Sequence, residues 1–329
     1  MSTESSSPPA ALQRYQLHGP TMGSRYTAVF YAPPDAPQAA IARDLFTPVD
    51  TVDRQMSTWR ADSDLCRLNR APLGEWLAVP EKLIEVLTAA VRIERESEGA
   101  FDINVGDLVS AWGFGPGAGR PDNARIAALI DTARTPAGKA LEIDTEHRRV
   151  RKHAAVSLDL SGIAKGFAVD ELARCLDGYG IDAWLVGIDG EMRARGRKSD
   201  GEPWALALER PVHGVREVAG VTTLHDAAIA TSGDYRHWVE IGDRKLSHTM
   251  QPGRHGPVSN RLAAVSVVAA SSMLADAWAT ALMVLGEQAG PRLARKLGLQ
   301  ALFVLRDGED LHELPVGAVF AGSPPTSES

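Results

Sequence analysis

The sequence predicts an α+β fold in which mixed sheets pack against helices as a single large unit. Three observations lead there. Segments with helical and with strand periodicity alternate without the strict βαβ rhythm of a doubly wound parallel sheet. No internal repeat is present. The glycine-rich stretch Gly113 to Asp122 lacks both the closing glycine and the preceding strand of a dinucleotide-binding fingerprint, which removes a Rossmann reading. With 329 residues, 44% of them hydrophobic and 23% charged, the chain has ordinary globular composition and the length for a sizeable core.

The ends are polar and rich in serine and proline, so tails are expected over residues 1–15 and 321–329, flanking a folded unit over 16–320. Tyr26 to Tyr31 reads as a strand. Ile41, Leu45, Val49, Val52 and Met56 recur at helical spacing, with Pro48 expected to kink or restart that helix. Leu83, Leu87 and Val91 mark a second helix ending near Gly99. Gly113 to Asp122 is a loop. Ala155 to Leu160 reads as a strand entering the tight turn Ser161-Gly162-Ile163-Ala164-Lys165-Gly166. Val169, Leu172, Cys175 and Leu176 then give the following helix its apolar face. Trp184 to Val186 and Trp204 to Leu208 read as strands, with turns at Gly187 to Gly190 and Lys198 to Gly201.

The stretch from Leu262 to Gly286 carries one ionisable group, Asp276. Its length and apolarity would suit a transmembrane helix, but the composition divides it. Ala264 to Val268 is β-branched and reads as a buried strand, and Ser271-Ser272 offers N-cap chemistry for a helix after it. On that helix Leu274, Trp278, Ala281 and Leu285 form an apolar stripe, while Asp276 and Thr280 fall opposite beside Ala279 and Met283. A carboxylate in such surroundings needs compensation. An arginine partner, the helix dipole, or a hard divalent cation that prefers oxygen ligands could each supply it.

The formal charge of −7, from 35 basic and 42 acidic residues without a basic run, excludes nucleic acid as an expected partner. Cys66 and Cys175 have no CxxC spacing, so neither a disulfide framework nor a zinc site is expected. Met1 to Pro9 lacks a basic n-region followed by an apolar h-region. The expected compartment is therefore the cytoplasm, or the periplasm if a leader is missing from the sequence.

Several local patterns could carry chemistry. The glycine-flanked Lys165, just inside a helix start, suits an anion, although such a turn is more often only a turn. Asp159, just before that turn, and Asp102, within Gly99 to Gly106, read by default as capping or turn residues. Trp59 could stack on a flat ring or plug a core. His248 could be structural, or a base if a substrate proton lies within reach.

Taken in order, these blocks resemble the ApbE family, the FAD:protein FMN transferases. The resemblance rests on Met22-Gly23-Ser24, Met56-Ser57-Thr58-Trp59, Gly99 to Gly106 with Trp112 to Gly115, Asp159 to Gly166, Thr231 to Tyr235, His248 to Pro252 and Asp276 to Thr280, spanning Met22 to Gly286. It implies a T-fold-related α+β catalytic unit that cleaves FAD, attaches FMN through a phosphoester to a Thr or Ser of an acceptor protein, and releases AMP. It also implies Mg²⁺ held by Asp276, Thr280 and the Gly162 carbonyl. Met22, Trp59, Ala100, Phe101, Asp102, Asp159, Lys165 and Met250 would line the FAD pocket, with His248 as the base.

These implied roles suit the reaction, because phosphoryl transfer is mostly positioning and charge neutralisation. The chain departs from the family pattern at four places. Trp59 stands for Tyr, Asn104 for Thr and Gln251 for the Asp before Pro252, and Gly187-Ile188-Asp189-Gly190-Glu191 stands for a Gly-Gly-Asp or Gly-Gly-Glu segment. Two alternative readings use the same residues. One is a Mg²⁺-dependent FAD pyrophosphatase yielding FMN and AMP, and the other is a non-catalytic flavin-binding protein.

Overall fold

The structure, a computed structural model, describes residues 12–321 apart from 117–118, 131, 213, 215, 236–237, 242–243 and 309. The chain opens with the hairpin β1 (Gln13–Thr21) and β2 (Ser24–Ala32). A largely helical insertion follows: α1 (Gln38–Met56), α2 (Asp64–Arg70), β3 (Trp76–Ala78), α3 (Glu81–Glu96), α4 (Gly106–Ala111), α5 (Asn123–Ile130), α6 (Ala137–Ala140), β4 (Leu141–Asp144), β5 (Arg149–Lys152) and α7 (Ala164–Gly178). The second half is mostly strands. They are β6 (Trp184–Ile188), β7 (Glu191–Arg195), β8 (Trp204–Glu209), β9 (Val218–Leu224), β10 (Ala227–Gly233), β11 (Trp238–Ile241), β12 (Arg244–Ser247), β13 (Met250–Gln251), β14 (Gly256–Pro257) and β15 (Leu262–Ala269). After β15 come α8 (Ser272–Leu297), β16 (Gln300–Asp307) and β17 (Asp310–Val316).

One 8-stranded sheet in the order β1-β2-β6-β7-β10-β15-β16-β17 organises the unit, with every pairing antiparallel. The expected α+β fold is therefore an antiparallel sheet carrying insertions. Against one face lie α7 and α8, with α1 packed on α7. Val186, Val265, Val267 and Phe303 meet Phe167, Leu172, Leu282 and Leu45 there in the main core. The β8–β9 hairpin covers part of the other face, where Trp204, Leu206 and Leu224 pack against Ile229 and Leu302. Period-two alternation explains how β2 serves both cores: Ala28 and Phe30 belong to the main core, and Val29 between them to the other.

Three expectations are corrected. β1 begins at Gln13, ahead of the expected boundary at 16, because Gln13 to Tyr15 pair with Phe30 to Ala32 and the Tyr15 ring stacks on Phe30 at 5.3 Å. The outer parts of both expected tails, 1–11 and 322–329, lie outside the described residues. Helix α1 continues through Pro48 rather than restarting, since burial of Ile41, Leu45, Val49, Val52 and Met56 outweighs one missing N–H.

Residues 155–160 form no strand. Their backbone is held by side chains and a neighbouring loop: Ser157 N–H donates to Asn104 Oδ1 at 2.8 Å, Leu158 N–H to Asn69 Oδ1 at 2.8 Å and Asp159 N–H to the Ile103 carbonyl at 2.8 Å. The apolar run was legible, but the donors and acceptors that satisfy it come from afar.

The strand, turn and helix read in Leu262 to Gly286 are β15 and α8, with Ser271 Oγ accepting from Leu274 N–H at 3.3 Å as the N-cap. The helical path breaks at Gly286, whose φ is +76°. On the side of α8 opposite the predicted stripe, Ala279 and Met283 are both at 0% exposure, while Thr280 stays partly exposed to the cavity. Among the described residues no helix is long and apolar enough to cross a membrane.

Candidate active site

A cavity of about 1590 Å³ opens where the start of α7, the first turns of α8, the β1–β2 turn and the loops after α3 and β12 converge. Every residue named above as a candidate lines it: Met22, Trp59, Ala100, Phe101, Asp102, Asp159, Gly162, Lys165, His248, Met250, Asp276 and Thr280.

Its base is built from two helix starts. The turn ahead of α7 is tied by Ser161 N–H, which donates to Asp159 Oδ1 at 2.8 Å, so Asp159 is the turn residue its position suggested. Gly162 then passes against α8 so closely that a Cβ would sit 3.0 Å from Thr280 Oγ1 and 3.4 Å from the Phe101 ring. Asp276 is 5% exposed, and its Oδ2 accepts from Gly166 N–H at 3.0 Å. Burial, reinforced by the charge of Glu191, pushes its carboxyl up to about 8 against the opposing Lys165 charge and that N–H. Thr280 Oγ1 lies 3.2 Å from Ser232 Oγ on β10.

Lys165 reaches over this base. Its Nζ stands 3.3 Å from Glu191 Oε1 and 3.8 Å from Asp189 Oδ2. Burial works against the ammonium, yet the carboxylates of Glu191, Asp276 and Asp189 outweigh it and leave the lysine pKa raised. Glu191 is itself buried, and its carboxyl is shifted upward by that burial. The sequence marks Ser232 only within the Thr231 to Tyr235 block and does not single out Glu191. The only signal for Glu191 is the irregular Gly187 to Glu191 segment, where Asp189 takes a φ of +51° and accepts from Ser24 Oγ.

The remaining walls are aromatic, sulfur-bearing and polar. Met22 and Gly23 both have positive φ, +46° and +72°, as a two-residue type I′ hairpin turn requires, and this unusual conformation puts Met22 at the cavity wall. Trp59 is 68% exposed, so it plugs no core and leaves its ring free for a flat ligand. Asp102 Oδ1 accepts from Asn104 N–H at 2.8 Å and Ala137 N–H at 3.2 Å, while burial raises its pKa. His248 follows β12, with the Phe114 ring edge-on at 6.4 Å between centroids.

As donors, Asp276, Thr280 and the Gly162 backbone offer oxygen only, the set a hard cation takes. Among the described residues no group of three or more His, Cys, Asp or Glu side chains comes together as a metal site would require.

The model of the ApbE family matches residues 22–303. An FAD:protein FMN transferase from Vibrio cholerae serotype O1 is 37% identical over 310 residues, covering 92% of this chain and 90% of that protein. Another from Salmonella typhimurium is 34% identical over 299 residues, 89% of this chain and 85% of its own length. The solved structure of the flavin transferase ApbE from Vibrio cholerae superposes with a TM-score of 0.82 at 35% identity, covering 94% of this chain and 98% of that one. With its motifs in order, its site assembled in one cavity and its whole folded unit matched, this chain belongs to the ApbE family.

Proposed function

We propose that the protein transfers the FMN half of FAD to a Thr or Ser hydroxyl of an acceptor protein, releasing AMP, with Mg²⁺ as the working cation. One observation carries the cation assignment: the buried Asp276 has no arginine or lysine within ion-pair distance among the described residues, although it shares a wall with Thr280 and Gly162. With one N–H donor and Lys165 acting only from beyond ion-pair distance, this buried carboxylate is short of positive charge. Mg²⁺ fits this donor set, because it takes few protein oxygens and completes its shell with water and substrate phosphates. Once bound it would neutralise the pyrophosphate oxygens.

The chain's own residues account for the rest. Lys165 adds a point charge beside the same phosphates. Trp59 offers a face for stacking, and Met22, Phe101 and Met250 close the apolar sides. The acceptor hydroxyl oxygen attacks the FMN-side phosphorus as the bond from that phosphorus to the AMP oxygen breaks. His248, on the cavity wall, takes the hydroxyl proton.

The test is to incubate the purified protein with FAD and Mg²⁺, with and without an acceptor bearing a flavinylation-type threonine, and measure AMP together with flavin fluorescence on a denaturing gel. Acceptor-dependent labelling supports the transferase. AMP without acceptor and without labelling favours the pyrophosphatase, and no AMP under any condition leaves a flavin-binding protein.

A further inference from the structure

The helices α7 and α8 begin side by side and exchange carboxylates. Gly166, near the start of α7, donates its N–H to Asp276 one turn into α8. In return Ser272 and Met273, the first residues of α8, donate their N–H groups to Asp170 Oδ1 and Oδ2, both at 2.9 Å, one turn further along α7. Arg193 Nη1 of β7 adds a third bond to Asp170 Oδ1 at 2.8 Å. Asp170 is 2% exposed. The contact is so tight that a Cβ on Gly166 would lie 2.3 Å from the Ser272 carbonyl oxygen.

The two carboxylates are not equivalent. Asp170 accepts from two helix N-terminal N–H groups and a guanidinium, so its oxygens are engaged within the protein even though burial still raises its pKa. Asp276 receives one N–H. The clasp thus fixes the axial register of α8 against α7 with one acid and leaves the other for a ligand. That register decides where Asp276 and Thr280 stand relative to Gly162, and a metal or phosphate site tolerates only about 0.5 Å of error.

We propose that Asp170 is the positioning residue of this site, holding the first turn of α8 in the one register that aims Asp276 and Thr280 at the Gly162 turn. The proposal rests on the Mg²⁺-dependent reading above for its readout. Ligand-supporting partners of this kind are worth about 10- to 100-fold in metal affinity.

The experiment titrates Mg²⁺ by calorimetry into the full chain loaded with ADP, which carries the adenosine diphosphate half of FAD, and separately follows the Mg²⁺ dependence of AMP release from FAD. Asp170→Ala is expected to weaken Mg²⁺ by about 10-fold or more, with Asp170→Asn, which keeps one acceptor oxygen, falling between it and the parent. Leu224→Ala, a change in the separate core on the other face of the sheet, is expected to lower Tm without moving Mg²⁺ affinity. Folded Asp170 variants with Mg²⁺ affinity within about twofold of the parent would overturn the proposal. If neither folds, Arg193→Gln decides: a weakened Mg²⁺ supports the clasp, an unchanged one sinks it. Absence of Mg²⁺ binding by the parent protein would instead bring down the functional reading, and the proposal with it.

Discussion

Lys165 Nζ and Glu191 Oε1 stand 3.3 Å apart in the wall of the cavity, while Glu191 Oε2 is buried without a hydrogen-bond partner among the described residues. The pair gives Lys165 a fixed station beside Asp276, and it makes Glu191 dependent on the lysine. Replacing Lys165 by Met strands a buried carboxylate, at an expected cost of about 1–3 kcal/mol in urea unfolding. Turnover is expected to fall about 10²- to 10³-fold. The double change Lys165→Met with Glu191→Leu should recover the stability and leave the rate low. Recovery of rate together with stability would show that the lysine serves only the fold.

Asp276→Ala removes the one carboxylate of the proposed cation site. Metal-dependent AMP release should drop by at least about 10²-fold while near-UV circular dichroism stays that of the parent. An unchanged rate would take Asp276 out of the chemistry.

His248→Ala is expected to lower the transfer rate about 10²- to 10⁴-fold, the range for losing a general base. A near-normal rate would give His248 a structural rather than a catalytic role.

Trp59 is exposed, so its truncation should leave Tm where it was. Stacking on an aromatic face is worth about 1–3 kcal/mol, so Trp59→Ala should raise the FAD concentration needed for half-maximal rate by about 5-fold at the least. Equal KM in the two proteins would place the flavin and adenine rings elsewhere.

Glu94, buried on α3 and accepting from Gly138 N–H at 2.8 Å, has its carboxyl pushed up by burial to about 7 from an ordinary 4.5. The folded chain therefore holds this proton more tightly than the unfolded chain. That contribution to stability is complete below pH 4.5 and is lost as pH rises through about 7. Glu94→Gln, which keeps an oxygen for Gly138, should gain stability relative to the parent across that interval and flatten the Tm against pH curve. Parallel curves would show that Glu94 titrates normally.

The strand, turn and helix around Asp276 were legible because period and capping agree there: Val265 and Val267 alternate into the core and Ser271 caps as its side chain suggests. The motif blocks marked which loops carry polar groups, and the fold gathers all of them at one cavity. What stayed hidden depends on partners distant in sequence. Residues 155–160 carry a strand-like pattern, yet Asn69 and Asn104 satisfy their backbone, which no local pattern reveals. The importance of Asp170 and Glu191 arises only when α8 and Lys165 arrive beside them, which no local pattern shows. The exposure of Trp59 was likewise undecided, since an indole suits a core and a rim equally well.

Because β2 takes β6 as its second neighbour, Phe30 must wait for Trp184 to leave the ribosome before that edge is covered. The clasped helices come later still, since α8 is among the last elements synthesised. Such distant pairings are slow to close and expose unsatisfied edges meanwhile. Nascent fragments halted before Thr280 should therefore hold no competent pocket, and a chaperone that shields the β1–β2 hairpin during translation should raise the yield of working enzyme.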